Sequence, residues 1–153
     1  MFIKVRFDLE IDEDGYPPVG SESLNAVVLG ANKFQIDNTP FFIERIAVGD
    51  IIEAHKTPES GERFVFDKIL SLSKDQSLSL IFLDDSFIEG VSTKLQQLGC
   101  YCEYGEFSSG NLKMVAVNVA QPDTYHDVMS FLLHLETQEV LSVAELSVKD
   151  ATA

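Results

Sequence analysis

Cys100 and Cys102 are the only cysteines in the chain, and a single residue separates them. On a strand that spacing sends both side chains to one face, which makes the pair a place to look for thiolate chemistry. Zinc sites, however, usually carry spacers of about two to four residues and a second pair of ligands. No second Cys or His pair accompanies this one. Reduced, structural, metal-free cysteines are therefore expected, and they suit a reducing compartment.

The three histidines are His55, His126 and His134, and none sits in a catalytic string. His126 and His134 are eight residues apart on one predicted helix, beyond the four-residue spacing that brings two imidazoles to one ion. They are expected on the surface. The serines lack a nucleophile elbow, Gly30-Ala31-Asn32 is not a phosphate loop, and no Walker or dinucleotide pattern occurs. Asp84-Asp85 ends a predicted strand, a position where cation sites often lie, but as carboxylates flanking a helix they have a structural explanation. No catalytic, cofactor-binding or metal-ligating residue is assigned, and a non-enzymatic protein is expected.

Charge is the next signal. The net charge is −14, and it is uneven: residues 1–74 carry 8 Lys+Arg against 13 Asp+Glu, while residues 75–153 carry 3 against 12. The C-terminal half thus projects a negative field that repels phosphate backbones and anionic membranes, whose binding needs Lys/Arg. A basic protein is the natural complement. Glu103 and Glu106 fall on a predicted edge strand, Asp84, Asp85 and Glu89 surround one predicted helix start, and only Lys94, Lys113 and Lys149 offset them. Those five carboxylates are the candidate partner-binding residues. Acidity also serves solubility alone in many proteins.

The elements that would position these residues follow from periodicity. Leu78–Leu83 is a short apolar run, as expected of a strand covered on more than one side. Asp84-Asp85 stops it, and Ser86-Phe87-Ile88-Glu89 has capping-box spacing. Ile88, Val91, Leu95 and Leu98 then form a helical stripe that ends at Gly99. Cys100–Phe107 and Leu112–Val119 read as a hairpin about Ser108-Ser109-Gly110-Asn111. Gln121-Pro122-Asp123 opens a second helix with the stripe Tyr125, Val128, Leu132 and Leu135. Val140–Val148 is a last strand, with a parity shift that predicts a bulge near Ala144-Glu145. Strand, helix, strand, strand, helix, strand is the order of a ferredoxin-like βαββαβ sandwich, whose first and third strands are central. With both helices on one face, the other face of the sheet is expected to be free.

The first half is all β. Residues 2–11 alternate cleanly before the turn Asp12-Glu13-Asp14-Gly15. Leu24–Leu29 and Phe34–Ile36 flank Gly30-Ala31-Asn32-Lys33, and a Gly49-Asp50 turn precedes Ile51-Ile52. Phe64–Leu72 returns antiparallel after Pro58-Glu59-Ser60-Gly61. About five short strands with glycine turns predict a small barrel or rolled sheet. Phe41 and Phe42 follow Pro40, and they read as the plug joining barrel to sheet, because adjacent aromatics in water are a liability. The expected fold is α+β: a barrel-like module over residues 1–74, a ferredoxin-like α/β sandwich over 75–150, and a tail over 151–153. The N-terminus alternates charge with apolar residues, so no signal-peptide or membrane-spanning run is expected, and the cytoplasm is the expected location.

Asp14-Gly15-Tyr16-Pro17-Pro18-Val19, Asn38-Thr39-Pro40-Phe41-Phe42, Ala47-Val48-Gly49-Asp50 and Leu98-Gly99-Cys100, in that order, resemble the bacterial family called domain of unknown function 4265 over nearly the full length. The matching residues are turn and core types. The resemblance implies a shared fold and a bacterial, soluble, stand-alone domain, and it implies no reaction.

Two functions from different classes remain. The first is a non-enzymatic protein-binding module, most specifically an immunity protein or antitoxin that masks a basic toxin, acting without cofactors as a monomer or homodimer. The second is a small-molecule-sensing regulatory domain, which lacks an evident polar pocket in the sequence.

Overall fold

The computed structural model describes residues 1–108 and 111–149. The middle of the expected turn, residues 109–110, and the expected tail, residues 151–153, lie outside the described residues. The described residues form a mixed α+β fold, mostly strands, with two sheets and two α-helices.

The first sheet comprises β1 (Phe2–Asp8), β2 (Ser21–Gly30), β3 (Lys33–Ile36), β4 (Ile51–Lys56) and β5 (Phe64–Ser71). Successive strands pair antiparallel. β5 then returns beside β1 in parallel, Val5 opposite Phe64 and Arg6 opposite Val65, so the sheet closes into a ring. Closure leaves no open edge to recruit another strand. Alternation turns Val5, Phe7, Leu24, Ala26, Phe34, Ile36, Ile52 and Ala54 inward to a shared core. β1 ends three residues short of the expected Ile11. The reason is Asp12, whose carboxylate accepts from the N–H groups of Asp14 and Tyr16, both at 2.9 Å, and turns the backbone.

The second sheet comprises β6 (Gln76–Phe82), β7 (Tyr101–Phe107), β8 (Leu112–Val119) and β9 (Leu141–Ser147), with α1 (Ile88–Gln97) and α2 (Tyr125–Thr137) between them. The strand order is β7-β8-β6-β9, antiparallel throughout, so the two most apolar strands lie inside. Both helices bury their expected stripes on one face, with Val91, Leu95, Val128, Leu132 and Leu135 against Leu78, Leu80, Val115 and Val117. Gly99, at φ 89°, ends α1 in the left-handed region, and Cys100 N–H reaches back to the Leu95 carbonyl at 2.9 Å.

Two local expectations are corrected. Ser86 does not cap α1: a 3-10 turn over Asp85–Phe87 precedes the helix, and Asp84 accepts from both the Ser86 N–H and its hydroxyl. A carboxylate is the stronger acceptor and converts the serine into a donor. The β9 bulge lies at Leu146 rather than Ala144-Glu145, since Leu78 faces Glu145 while Ser77 faces Ser147. The unpaired residue frees the Leu146 carbonyl, which accepts from Arg45 N–H at 2.8 Å. The bulge thus joins the sheet to the ring.

The expectation of a free sheet face is overturned. The face opposite the helices carries Ser77, Ser79, Met114 and Ala116, all at most 1% exposed. The segment 37–50 between β3 and β4 covers it, and the Ser77 hydroxyl donates to the Ile46 carbonyl at 2.9 Å. Near-continuous apolar content in β8 signals cover on both faces, and that cover comes from the chain itself.

Glu22 and Asp50 hold the covering segment in place. The Glu22 carboxylate accepts from the N–H groups of Phe41, Phe42 and Ile43 at 2.7, 3.0 and 3.1 Å. Phe42 is buried and meets the Phe107 ring edge-on at 4.9 Å, with Phe41 against the same ring at 5.3 Å. The two aromatics therefore join ring to sheet. Gly105 permits this approach, because a Cβ there would lie 2.8 Å from Phe41 Cζ. Asp50 is fully buried and accepts from Ala47 N–H, Ser73 N–H, the Ser73 hydroxyl and, at 3.2 Å, the Lys149 ammonium.

Candidate functional site

β7 is an edge strand, and the period of two divides its side chains between two environments. Cys100 and Cys102 turn toward the helices. Tyr101, Glu103, Gly105 and Phe107 turn toward the covering segment 37–50. At Tyr101 and Glu103 the covering segment stands away from the sheet and leaves a depression of about 410 Å3, lined by Asp37, Asn38, Thr39, Val48, Tyr101, Glu103 and Asn118.

Glu103 is the centre of this depression. Its carboxylate accepts from the Tyr101 hydroxyl at 3.1 Å and faces the Asn38 amide nitrogen at 3.4 Å through both oxygens. Those contacts orient it but bring no positive charge. Among the described residues no Lys or Arg lies within 4.0 Å of Glu103 or Asp37. The hydrogen bond to Glu103, with its negative charge, raises the Tyr101 phenol above its ordinary value and keeps it a donor.

Two lining residues are buried with polar atoms left over. Thr39 is 1% and Asn118 5% exposed, and neither Thr39 Oγ1 nor Asn118 Oδ1 has a hydrogen-bond partner. The Asn118 amide nitrogen is used, donating to Asp75 at 3.1 Å. Buried orphan acceptors cost about 1–3 kcal/mol each unless something pairs with them. The depression therefore presents two carboxylates and an oriented phenol, with two unsatisfied oxygens buried behind its lining, and its acidic groups suit a cationic hydrogen-bond donor.

The other expected partner-binding residues lie elsewhere. Glu106, three positions from Glu103, points to the opposite face and accepts from the exposed Tyr104 hydroxyl. Asp85 is paired with Lys113, which stands opposite Glu106 in the β7–β8 register. That pairing holds the Asp85 carboxyl below its usual range and raises the Lys113 ammonium. Asp84 and Asp85 line a separate depression of about 470 Å3 with Phe82, Leu83, Asn111 and Lys113. Asp84 is occupied with Ser86, and Glu89 is exposed in the first turn of α1. The structure thus does not gather the five carboxylates into one patch.

Cys100 and Cys102 are free thiols packed beneath the helices. Burial pushes them up to about 11 and about 12, so neither is a ready thiolate. His126 and His134 are exposed, as expected of surface histidines. His55 instead lies between two carboxylates, Glu53 and Asp67. Sequence reasoning passed over Glu22, Thr39, Asp50 and Asn118. A carboxylate in phase with a strand's inward-facing residues, as Glu22 is with Leu24 and Ala26, and an Asn within the apolar run of β8 were the available signals.

The model of the family described as Domain of unknown function (DUF4265) matches residues 22–143. The chain belongs to this family. A solved structure described as a novel crystal structure of a hypothetical protein from Neisseria gonorrhoeae superposes with a TM-score of 0.76, at 18% identity over 99% of this chain and 98% of that one. At that identity the likeness is one of fold. No curated protein matches the chain significantly. Among the described residues no helix is long and apolar enough to cross a membrane.

Proposed function

We propose that this protein is a bacterial, non-enzymatic, acidic protein-binding domain, and that its junction depression receives a cationic side chain of a basic protein partner. An immunity protein or antitoxin that masks a basic toxin is the specific form of this reading. The observation that carries it is the carboxylate of Glu103, beside Asp37 in the lining and without a Lys or Arg partner among the described residues. A lysine or arginine carries several donors and can serve more than one carboxylate oxygen at once. The net charge of −14 supplies the long-range field that speeds encounter with a basic surface and disfavours nucleic acid and anionic membranes.

The same reading treats residues 1–74 as a small barrel-like domain and 75–150 as a ferredoxin-like βαββαβ sandwich. Ring closure and the order β7-β8-β6-β9 support it. A cytoplasmic location, as monomer or homodimer, fits the free thiols.

A small-molecule-sensing role is the second reading. Its support is the volume of the depression, about 410 Å3 with two buried orphan oxygens, which falls in the range of ligand sites. The experiment that separates them is affinity capture from the source bacterium with wild type and Glu103→Gln in parallel. A basic protein retained by wild type and depleted with the variant supports the first reading. Equal capture by both, or none by either, removes it.

A further inference from the structure

We propose that Glu53, His55 and Asp67 bind one divalent first-row transition-metal ion on the outer surface of the five-stranded ring, independently of the junction depression. The three side chains converge because of strand periodicity and one irregularity. On β4, Ile52 and Ala54 are fully buried in the ring, so Glu53 and His55, two residues apart, share the outer face. On β5, Phe66 faces Ala54 while Lys68 faces Glu53, so the strand carries one extra residue at Asp67. A bulge of this kind re-aims a side chain, and here Asp67 stands beside the imidazole.

His55 Nε2 lies 2.7 Å from Glu53 Oε1 and 3.5 Å from Asp67 Oδ2, and one ligand atom from each residue falls within 4.8 Å of the others. An ion with bonds of about 2.0–2.2 Å holds neighbouring donor atoms roughly 3–3.5 Å apart. The widest separation closes by rotation of Asp67, the most exposed of the three at 53%. One imidazole with two carboxylates suits zinc or cobalt better than calcium or magnesium, which favour all-oxygen sets. Three protein ligands leave further positions to water. Among the described residues Lys68, 4.0 Å from Glu53, is the one competing ammonium within that distance, and it offsets only one of two carboxylates.

The test is calorimetric titration of the full chain with zinc sulfate, with cobalt absorption as a second readout. His55→Ala and Asp67→Asn are surface changes, checked for folding by circular dichroism, and Cys100→Ser/Cys102→Ser removes the thiols as an alternative site. The expected result is one ion per chain, affinity at least about tenfold weaker in His55→Ala and in Asp67→Asn, and no change in the double serine variant. Lys68→Ala should tighten binding. No saturable binding, binding indifferent to both His55→Ala and Asp67→Asn, or binding lost with the cysteines would overturn the proposal.

Discussion

The Asn38 amide and the Glu103 carboxylate, 65 residues apart, face one another at 3.4 Å across the junction between the ring and the second sheet. Asn38 also accepts from Asn25 N–H at 2.9 Å, so it is held from the ring side. Glu103 is held from the sheet side by Tyr101. The carboxylate is therefore preorganised by neutral groups, which fix its position without neutralising it. That is the arrangement a cation-accepting site needs, since ordering a long acidic side chain at the moment of binding has an entropic cost.

The stability of the junction depends on Asp50. Asp50→Ala leaves Lys149 without its carboxylate and Ser73 and Ala47 without their acceptor. Loss of a partner from a buried pair costs about 3–5 kcal/mol. Urea unfolding should show that loss; a shift below about 1 kcal/mol would contradict the role assigned to Asp50.

Gly49 adds a steric condition to the same corner. It sits at φ 90°, and a Cβ there would lie 2.9 Å from Ser73 Cβ. Gly49→Ala should destabilise by about 1–3 kcal/mol, whereas Gly20→Ala, with nothing within 4 Å of the new Cβ, should change little. Equal melting temperatures for the two variants would remove the constraint.

Glu22 makes stability depend on pH in a defined direction. Burial raises its carboxyl, with the three N–H bonds from Phe41, Phe42 and Ile43 and the charge of Glu103 as further influences, the former opposing. The folded state therefore keeps the proton to higher pH than the unfolded chain, which ionises near the ordinary value of about 4.3. Glu22's stabilising contribution is complete below that value and is lost as pH rises through the raised one. Glutamine does not ionise. The stability of wild type relative to Glu22→Gln should thus fall as pH rises above about 4. A flat or rising difference would contradict the assignment.

The thiols should be unreactive in the native state. With Cys100 raised to about 11, on the order of one thiol in a thousand is ionised at about pH 8. With Cys102 at about 12 the fraction is smaller still. A disulfide-exchange reagent should react slowly with native protein and with both cysteines in denaturant. Rapid native labelling would show that the cover over β7 opens.

Much of the architecture was legible because it rests on local chemistry. The helical stripes ending at Gly99 and after Leu135, and the five strands of the ring, follow from periodicity and turn residues. The division of Glu103 from Glu106 was also legible, since a spacing of three on a strand puts side chains on opposite faces. The cover over the second face was not, because it depends on where residues 37–50 return in space. Thr39 and Asn118 likewise become notable only when their burial is known. Asp67 joins His55 through a bulge that no turn residue announces.

The proposal that Glu103 receives a basic partner's cation is tested most directly by association kinetics. The rate for the captured basic partner should be measured with wild type, Glu103→Gln and Glu106→Gln at low and high ionic strength. Glu103→Gln should slow association and flatten its salt dependence, because one steering charge at the contact is gone. Glu106→Gln, on the opposite face, should change it much less. Rates unaffected by Glu103→Gln, or affected equally by both substitutions, would contradict the account.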